Sequence, residues 1–151
     1  MAKLLIIEDD LATLKIYTEA FKKEGYEVIQ QATSDIPLHK VVELQPDLIV
    51  LDIMLPGKVN GFDLLEAFKS DPRVKEIPVV VLTNLDSEEK VAKQIGADDY
   101  LVKANTSMED VINIVKKHLV WIQQWIFFEV KVRYIYERWK YIIGTQLRSK
   151  N

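Results

Sequence analysis

The residues able to do chemistry stand at the ends of apolar runs. Asp52 closes Leu48-Ile49-Val50-Leu51 and is followed by Ile53-Met54-Leu55-Pro56-Gly57; Glu8 and Asp9 follow Lys3–Ile7, Thr83 closes residues 77–82, and Lys103 follows Tyr100-Leu101-Val102. A carboxylate at the exit of a buried strand is expensive unless something there needs a negative charge. Clustered carboxylates repel one another unless a cation sits among them. Hard oxygen ligands without His or Cys suit Mg²⁺. A metal held by Asp9 and Asp52, with Glu8 acting through water, could also take an oxygen of an incoming phosphoryl group. Lys103 would neutralise a second oxygen and the Thr83 hydroxyl would donate to a third. These are the parts that phosphoryl transfer needs, with Asp52 as the nucleophile that accepts the group. Asp10 makes the acidic run three long, and strand phase selects Glu8 and Asp9 as the functional pair.

Each of these residues has a plainer reading when taken alone. Asp52 could cap a loop, Thr83 could be an ordinary strand-end hydroxyl, Lys103 a solvated charge and Tyr100 a core ring. Their joint placement at strand ends carries the chemical reading. His39 and His118 have no partner at ligand spacing and read as structural. Lys22-Lys23 and Lys116-Lys117 read as solvated helix faces.

The elements that must position these groups alternate five times. Lys3–Ile7 is a strand. Leu14, Tyr17, Ala20 and Phe21 recur at helical spacing over residues 11–24, which Gly25 ends. A strand over 26–30 follows. A helix over 33–44 tolerates Pro37 in its first turn and offers Ile36, Val41, Val42 and Leu44 to the core. After Pro46 comes Leu48–Leu51, then a loop closed by Asn60-Gly61. A helix over 62–70 turns Phe62, Leu65 and Phe68 inward. A strand over 77–82 precedes a helix over 87–95, capped by Asp86 or Ser87 and stopped at Gly96. A strand over 100–102 leads to a helix capped by Thr106, with Glu109 completing a capping box. The strands are continuous apolar runs, which predicts an α/β fold with a doubly wound parallel sheet covered on both faces. In such sheets the functional site lies beyond the carboxyl ends of the strands.

The chain has 151 residues, 48% apolar and 28% charged, with no cysteine and a net charge of -3. Disulfides, thiol nucleophiles and Cys-based metal sites are excluded. The N-terminus opens into a strand and has no signal-peptide pattern, and no apolar stretch is long enough to span a bilayer. The expectation is a cytoplasmic protein. The charge is asymmetric: residues 1–118 carry 14 basic and 21 acidic residues, and residues 119–151 carry six basic and two acidic. All three tryptophans lie in the second segment. The shift predicts an acidic domain over 1–118 and a basic, aromatic extension over 119–151.

Residues 1–118 resemble the receiver domain of bacterial two-component response regulators. The resemblance rests on Ile6-Ile7-Glu8-Asp9-Asp10, Leu51-Asp52-Ile53-Met54-Leu55-Pro56-Gly57, Val81-Leu82-Thr83-Asn84 and Gly96-Ala97-Asp98-Asp99-Tyr100-Leu101-Val102-Lys103, in that order. It implies a flavodoxin-like five-stranded sheet of order 2-1-3-4-5. It implies that Asp52 takes phosphate from a histidine kinase or phosphotransfer protein, and that Mg²⁺ is bound by Asp9, Asp52 and the Met54 main-chain carbonyl, with Glu8 outer-sphere. Thr83 and Tyr100 would be a switch pair that remodels the face of the fourth helix, last strand and fifth helix. The chain would be a signalling switch without an external substrate. Three features depart from the family pattern. Ala104 stands where Pro is usual, so the usual cis bond is in doubt. Asn84 stands where a smaller residue is usual, and the loop Gly57-Lys58-Val59-Asn60-Gly61 is one residue longer than the commonest form. A degenerate receiver that binds partners without using phosphate is the competing expectation.

Beyond residue 118 the resemblance ends. Val111, Ile114, Trp121, Trp125, Phe128, Val132, Ile135, Trp139 and Ile142 follow alternating three- and four-residue steps, with His118 in the intervening slot. This predicts one helix from about residue 107 to residue 143, with a heptad-like seam for self-association. Val120, Ile122, Ile126 and Phe127 widen the seam until the first turns are apolar nearly all round. Alternation of Phe128, Val130, Val132, Tyr134 and Tyr136 with mostly polar residues also permits a strand. An anionic membrane surface and nucleic acid are further readings of the basic and aromatic residues, and neither is favoured.

Overall fold

Strands form where β-branched and aliphatic residues run without interruption, and those runs are the most deeply buried part of the chain. The computed structural model describes residues 1–148, with side chains for 1–120 and 127–136. Its order is β1 (Lys3–Ile7), α1 (Leu11–Lys23), β2 (Glu27–Gln31), α2 (Leu38–Leu44), β3 (Leu48–Leu51), α3 (Gly61–Ser70), β4 (Val79–Thr83), α4 (Glu89–Ile95), β5 (Asp99–Val102), a 3-10 turn (Lys103–Asn105) and α5 (Met108–Arg148). The five strands are parallel in the order β2-β1-β3-β4-β5. Every residue of β3 and β4 is buried, as are Leu4 to Ile7 of β1. The edge strands β2 and β5 are only partly covered, which accounts for Glu27, Gln30 and Gln31 in one and Asp99 in the other. The fold is the doubly wound flavodoxin-like sheet that the sequence predicts.

The helices differ from expectation mainly at their first turns. α2 begins at Leu38 and not at residue 33, because Pro37 takes the N-cap with φ -63° and ψ 139°. Proline also biases the residue before it away from helical torsions. Ile36 still reaches the core from the preceding loop. α4 begins at Glu89, and the Ser87 hydroxyl is spent on Glu88 Oε1 at 3.2 Å instead of capping a helix. The capping box expected at Thr106 and Glu109 is formed one residue on. The Asp110 N–H donates to Ser107 Oγ at 3.1 Å, and Asp110 Oδ2 accepts from the Ser107 N–H at 3.3 Å. The Thr106 hydroxyl donates instead to the Val102 carbonyl at 2.8 Å, closing the 3-10 turn. α5 is helical through Arg148, so the strand reading of the segment after residue 127 is not realised. Val111 and Val115 are buried; Ile114 is only half-buried. The seam positions Trp121, Trp125, Trp139 and Ile142 lie outside the residues whose side chains are described. The chain divides into two compact units, residues 1–118 and 119–151.

Two local contacts fix the sheet's surroundings. Gly61 opens α3 against the loop that follows Asp52: its N–H donates to the Ile53 carbonyl at 3.3 Å, and a Cβ there would lie 2.3 Å from Ile53 Cα and 2.5 Å from the Asp52 carbonyl oxygen. Only glycine permits this approach. Asp71 ends α3, and its carboxylate accepts from the Arg73 backbone N–H at 2.8 Å, from Nε at 3.0 Å and from Nη2 at 2.7 Å. These bonds hold the Asp71 carboxyl down to about 2, from an ordinary 3.8. A depressed folded-state pKa contributes stability above the unfolded value that is lost as the pH falls through the folded one. The stability gap between wild type and Asp71→Asn, measured by urea unfolding, is therefore full at pH 7 and narrows as the pH drops below about 4. Gly61→Ala lowers stability by about 2–3 kcal/mol in the same measurement, because backbone and not a flexible side chain must yield.

Candidate functional site

Parallel pairing brings the polar strand ends to one rim. Ile7 pairs with Leu51, so Glu8 and Asp52 leave the sheet side by side; Thr83 pairs with Val102, so Lys103 is the next residue beyond. The Asp52 N–H extends the ladder to the Ile7 carbonyl at 3.0 Å, and the Glu8 N–H does the same to Gln31 at 3.0 Å. Glu8, Asp52 and Thr83 are buried, while Asp9 is exposed. Asp10 belongs to α1: its side chain accepts from the Thr13 N–H at 2.7 Å as the N-cap. This leaves Glu8 and Asp9 for the rim, as strand phase indicates.

Lys103 Nζ donates to Asp52 Oδ2 at 2.7 Å and also to Glu8 Oε2. The second oxygen of each acid accepts a backbone N–H. Met54 donates to Asp52 Oδ1 at 2.9 Å, and Asp10 donates to Glu8 Oε1 at 3.1 Å. Burial pushes the Glu8 carboxyl above the ordinary range, aided by the charge on Asp52 and opposed by the bonds from Lys103 and Asp10. Burial disfavours charge on Lys103 too, but its hydrogen bonds to Asp52 and Glu8 outweigh that and raise its pKa. The ammonium stays charged between the two acids.

Glu8, Asp9 and Asp52 each offer an oxygen within 4.8 Å of the others. One lysine faces three carboxylates, and among the described residues Asp9 has no ion pair. An all-oxygen donor set with excess negative charge fits a hard divalent cation such as Mg²⁺.

Thr83 and Tyr100 are joined through one residue between them in the loop after β4. Thr83 Oγ1 accepts from the Leu85 N–H at 3.4 Å, and the Tyr100 hydroxyl donates to the Leu85 carbonyl at 2.8 Å. Burial and the charge of Glu88 raise the Tyr100 pKa, which keeps the phenol a donor. The ring is 7% exposed and packs in the core. Leu85 and the Met54 N–H were not legible as site groups, because their contributions are main-chain and carry no side-chain signal. Asn84 and Ala104 line one cleft of about 300 Å³ with Lys103, Thr13, Ile16, Tyr17 and Met108. No peptide bond among the described residues is cis, Lys103–Ala104 included. His118 is taken up by Asp99, whose Oδ2 lies 3.0 Å from Nε2.

Crowded like charges destabilise the folded chain. Asp9→Asn therefore raises stability by about 1 kcal/mol in chelator-containing, low-salt buffer, and the gain shrinks as salt screens the acids. Urea unfolding at two ionic strengths measures both effects.

Comparison with known proteins agrees with this geometry. The response regulator receiver domain family matches residues 4–116. Over 106 residues the chain is 43% identical to the DNA-binding dual master transcriptional regulator RpaA of Synechocystis sp., covering 68% of this chain and 43% of that protein. Over 105 residues it is 38% identical to the transcriptional regulatory protein AfsQ1 of Streptomyces coelicolor, covering 68% of this chain and 45% of that protein. The chain thus spans less than half the length of these two relatives. Among solved structures, the BeF3-activated receiver domain of Klebsiella pneumoniae RstA superposes with a TM-score of 0.70 at 29% identity, over 78% of this chain and 97% of that one. A CheY-like receiver domain protein from Methanospirillum hungatei gives 0.72 at 31% identity, over 82% and 98%. No helix among the described residues is long and apolar enough to cross a membrane. With the matched family, the sheet order and the acidic rim in agreement, the chain belongs to the response regulator receiver domain family, the signalling domains of two-component systems.

Proposed function

We propose that Asp52 accepts a phosphoryl group from a phosphohistidine on a sensor histidine kinase or a histidine phosphotransfer protein. The observation that carries this reading is the Lys103 ammonium bonded to both Asp52 and Glu8, with Asp9 alongside, at the carboxyl rim of the sheet. An Asp52 carboxylate oxygen attacks phosphorus, the P–N bond breaks, and the imidazole leaves, taking its proton from solvent. Water later attacks the same phosphorus, the P–O bond to Asp52 breaks, and inorganic phosphate departs. Lys103 offsets charge on the phosphoryl oxygens, and the Thr83 hydroxyl donates to one of them. The residues that would hold Mg²⁺ are Asp9, Asp52 and the Met54 main-chain carbonyl, with Glu8 outer-sphere; the ion supplies compensation of the charge on the phosphoryl group. Autophosphorylation from small donors and autodephosphorylation are the only reactions assigned, and the cytoplasm is where the donors would meet it.

Transmission follows from the loop after β4. When the Thr83 hydroxyl turns to the phosphoryl group it leaves the Leu85 N–H, and the Leu85 carbonyl is held by Tyr100. A change at Thr83 is therefore felt at Tyr100 and in the face formed by α4, β5 and α5. Residues 1–118 are the phosphoacceptor domain, and residues 119–151 are a segment through which the chain self-associates under that control. DNA binding is said of RpaA and is not carried over, since the family match stops at residue 116 and the described part of the extension is one helix, through Arg148.

The full chain incubated with Mg²⁺ and acetyl phosphate gains one phosphoryl group in intact-mass analysis. The gain is absent from Asp52→Asn and from samples with chelator. An unchanged mass, or a gain that survives in Asp52→Asn, overturns the assignment and leaves a binding module that works without phosphate.

A further inference from the structure

Burying a phenol costs free energy unless its hydroxyl meets a polar group, and Tyr17 is a buried phenol beside the acidic rim. It stands on the inward face of α1 with Leu14, Thr18 and Phe21, and its residue is 8% exposed. Long side chains on a helix lean toward its N-terminus and lie over the preceding turn. The N-terminus of α1 follows Asp9 and Asp10 at the rim, so Tyr17 reaches from the core toward Lys103. The two residues line the same cleft of about 300 Å³, which Thr13 and Asn84 also border. The Thr18 hydroxyl beside it accepts from Gln30 Nε2 at 2.8 Å. The Tyr17 hydroxyl makes no hydrogen bond among the described residues and opens on the cleft. Burial raises the Tyr17 pKa; the charge of Lys103 opposes this, and those of Glu8 and Asp52 add to it. The hydroxyl keeps its proton and stands in the field of all three rim charges.

A lysine ammonium has three N–H donors. Lys103 gives one to Asp52 Oδ2 and one to Glu8 Oε2, and the third has no partner among the described residues. A phosphoryl group on Asp52 changes what the ammonium must do. The oxygen bonded to phosphorus no longer carries the carboxylate charge, and the charge to be offset moves to the phosphoryl oxygens. As Lys103 turns from Glu8 to one of these, a further acceptor is needed to fix its place. Three side chains on the cleft wall can accept: the Thr13 hydroxyl, the Asn84 amide oxygen and the Tyr17 hydroxyl. Asn84 is exposed and Thr13 half-buried, so water competes with any bond they make. Tyr17 is buried, where a hydrogen bond is stronger and solvent does not replace it.

We propose that Tyr17 is a positioning residue for phosphoryl transfer, its hydroxyl accepting the third N–H of Lys103 when the ammonium serves a phosphoryl group on Asp52. It acts through the lysine and does not touch phosphorus. This rests on the reading of Asp52 as the phosphoryl acceptor and adds to it a residue from the interior face of α1.

Tyr17→Phe removes the hydroxyl and keeps the ring, so a role in packing alone leaves it unaffected. Time courses of intact mass with saturating Mg²⁺ and varied acetyl phosphate test it on the full chain. The maximal rate falls about tenfold in Tyr17→Phe, the size of one lost hydrogen bond to a charged group. The acetyl phosphate concentration at half-maximal rate and the thermal midpoint by circular dichroism match wild type. In ¹⁵N NMR of the beryllofluoride-bound chain, the Lys103 ammonium signal differs between wild type and Tyr17→Phe. A wild-type rate in Tyr17→Phe, or an unmoved Lys103 signal, overturns the proposal and leaves Tyr17 a core ring. A lower rate that comes with a lowered thermal midpoint overturns it as well. Wild-type chain that takes up no phosphoryl group overturns the reading of Asp52 itself, an outcome separate from any behaviour of the variant.

Discussion

Two buried carboxylates share one lysine beside a third, exposed one at the rim of the sheet, and much of the molecule follows from holding that arrangement together. Two buried acids cannot both stay ionised near a third without compensation, so Lys103 lies between Asp52 and Glu8. The second oxygen of each acid is satisfied by a main-chain N–H, from Met54 and from Asp10. Even so the charge balance remains negative. Such a cluster costs stability, and its all-oxygen donor set fits a hard divalent cation. The surrounding core is correspondingly conventional: β1, β3 and β4 are nearly pure aliphatic, and no buried side-chain polar atom among the described residues lacks a partner.

The rim is tied to the rest of the receiver through main-chain groups. Leu85 offers its N–H to Thr83 and its carbonyl to Tyr100, so one residue spans the space between a hydroxyl at the rim and a ring in the core. Lys69 plays a comparable part on the other side of the sheet. Its ammonium donates to the Ile77 carbonyl at 2.9 Å and to Asp98 Oδ2 at 2.9 Å, and Asp98 in turn accepts from the Val79 N–H at 2.8 Å. The approach to β5 is fastened to β4 and α3 at that end, while the rim end depends on Leu85.

Much of this was legible in the sequence for identifiable reasons. Continuous runs such as Leu48–Leu51 have one reading once Pro and Gly bound them, and parallel pairing then brings Glu8, Asp52, Thr83 and Lys103 to one side. The first turns of helices were less legible because several caps compete. Ser87 and Thr106 are good cap residues by type, yet Glu88 draws the first into a side-chain bond and the Val102 carbonyl draws the second into the 3-10 turn. Pro37 was read inside a first turn and stands one position before it. In the extension, alternation of Phe128, Val130 and Val132 permitted a strand. The helix is realised there, and what alternated along the sequence becomes two faces around an axis.

The contact of Gly61 with the Asp52–Ile53 backbone bears on how the loop between them can vary. Both ends of that loop are fixed: one by the sheet, through the Asp52 N–H on Ile7, and the other by α3 resting directly on Ile53. The residues between form an arch held at both footings. The position of the carboxylate beneath that arch is set by the sheet, so a change of side chain along the arch leaves it in place.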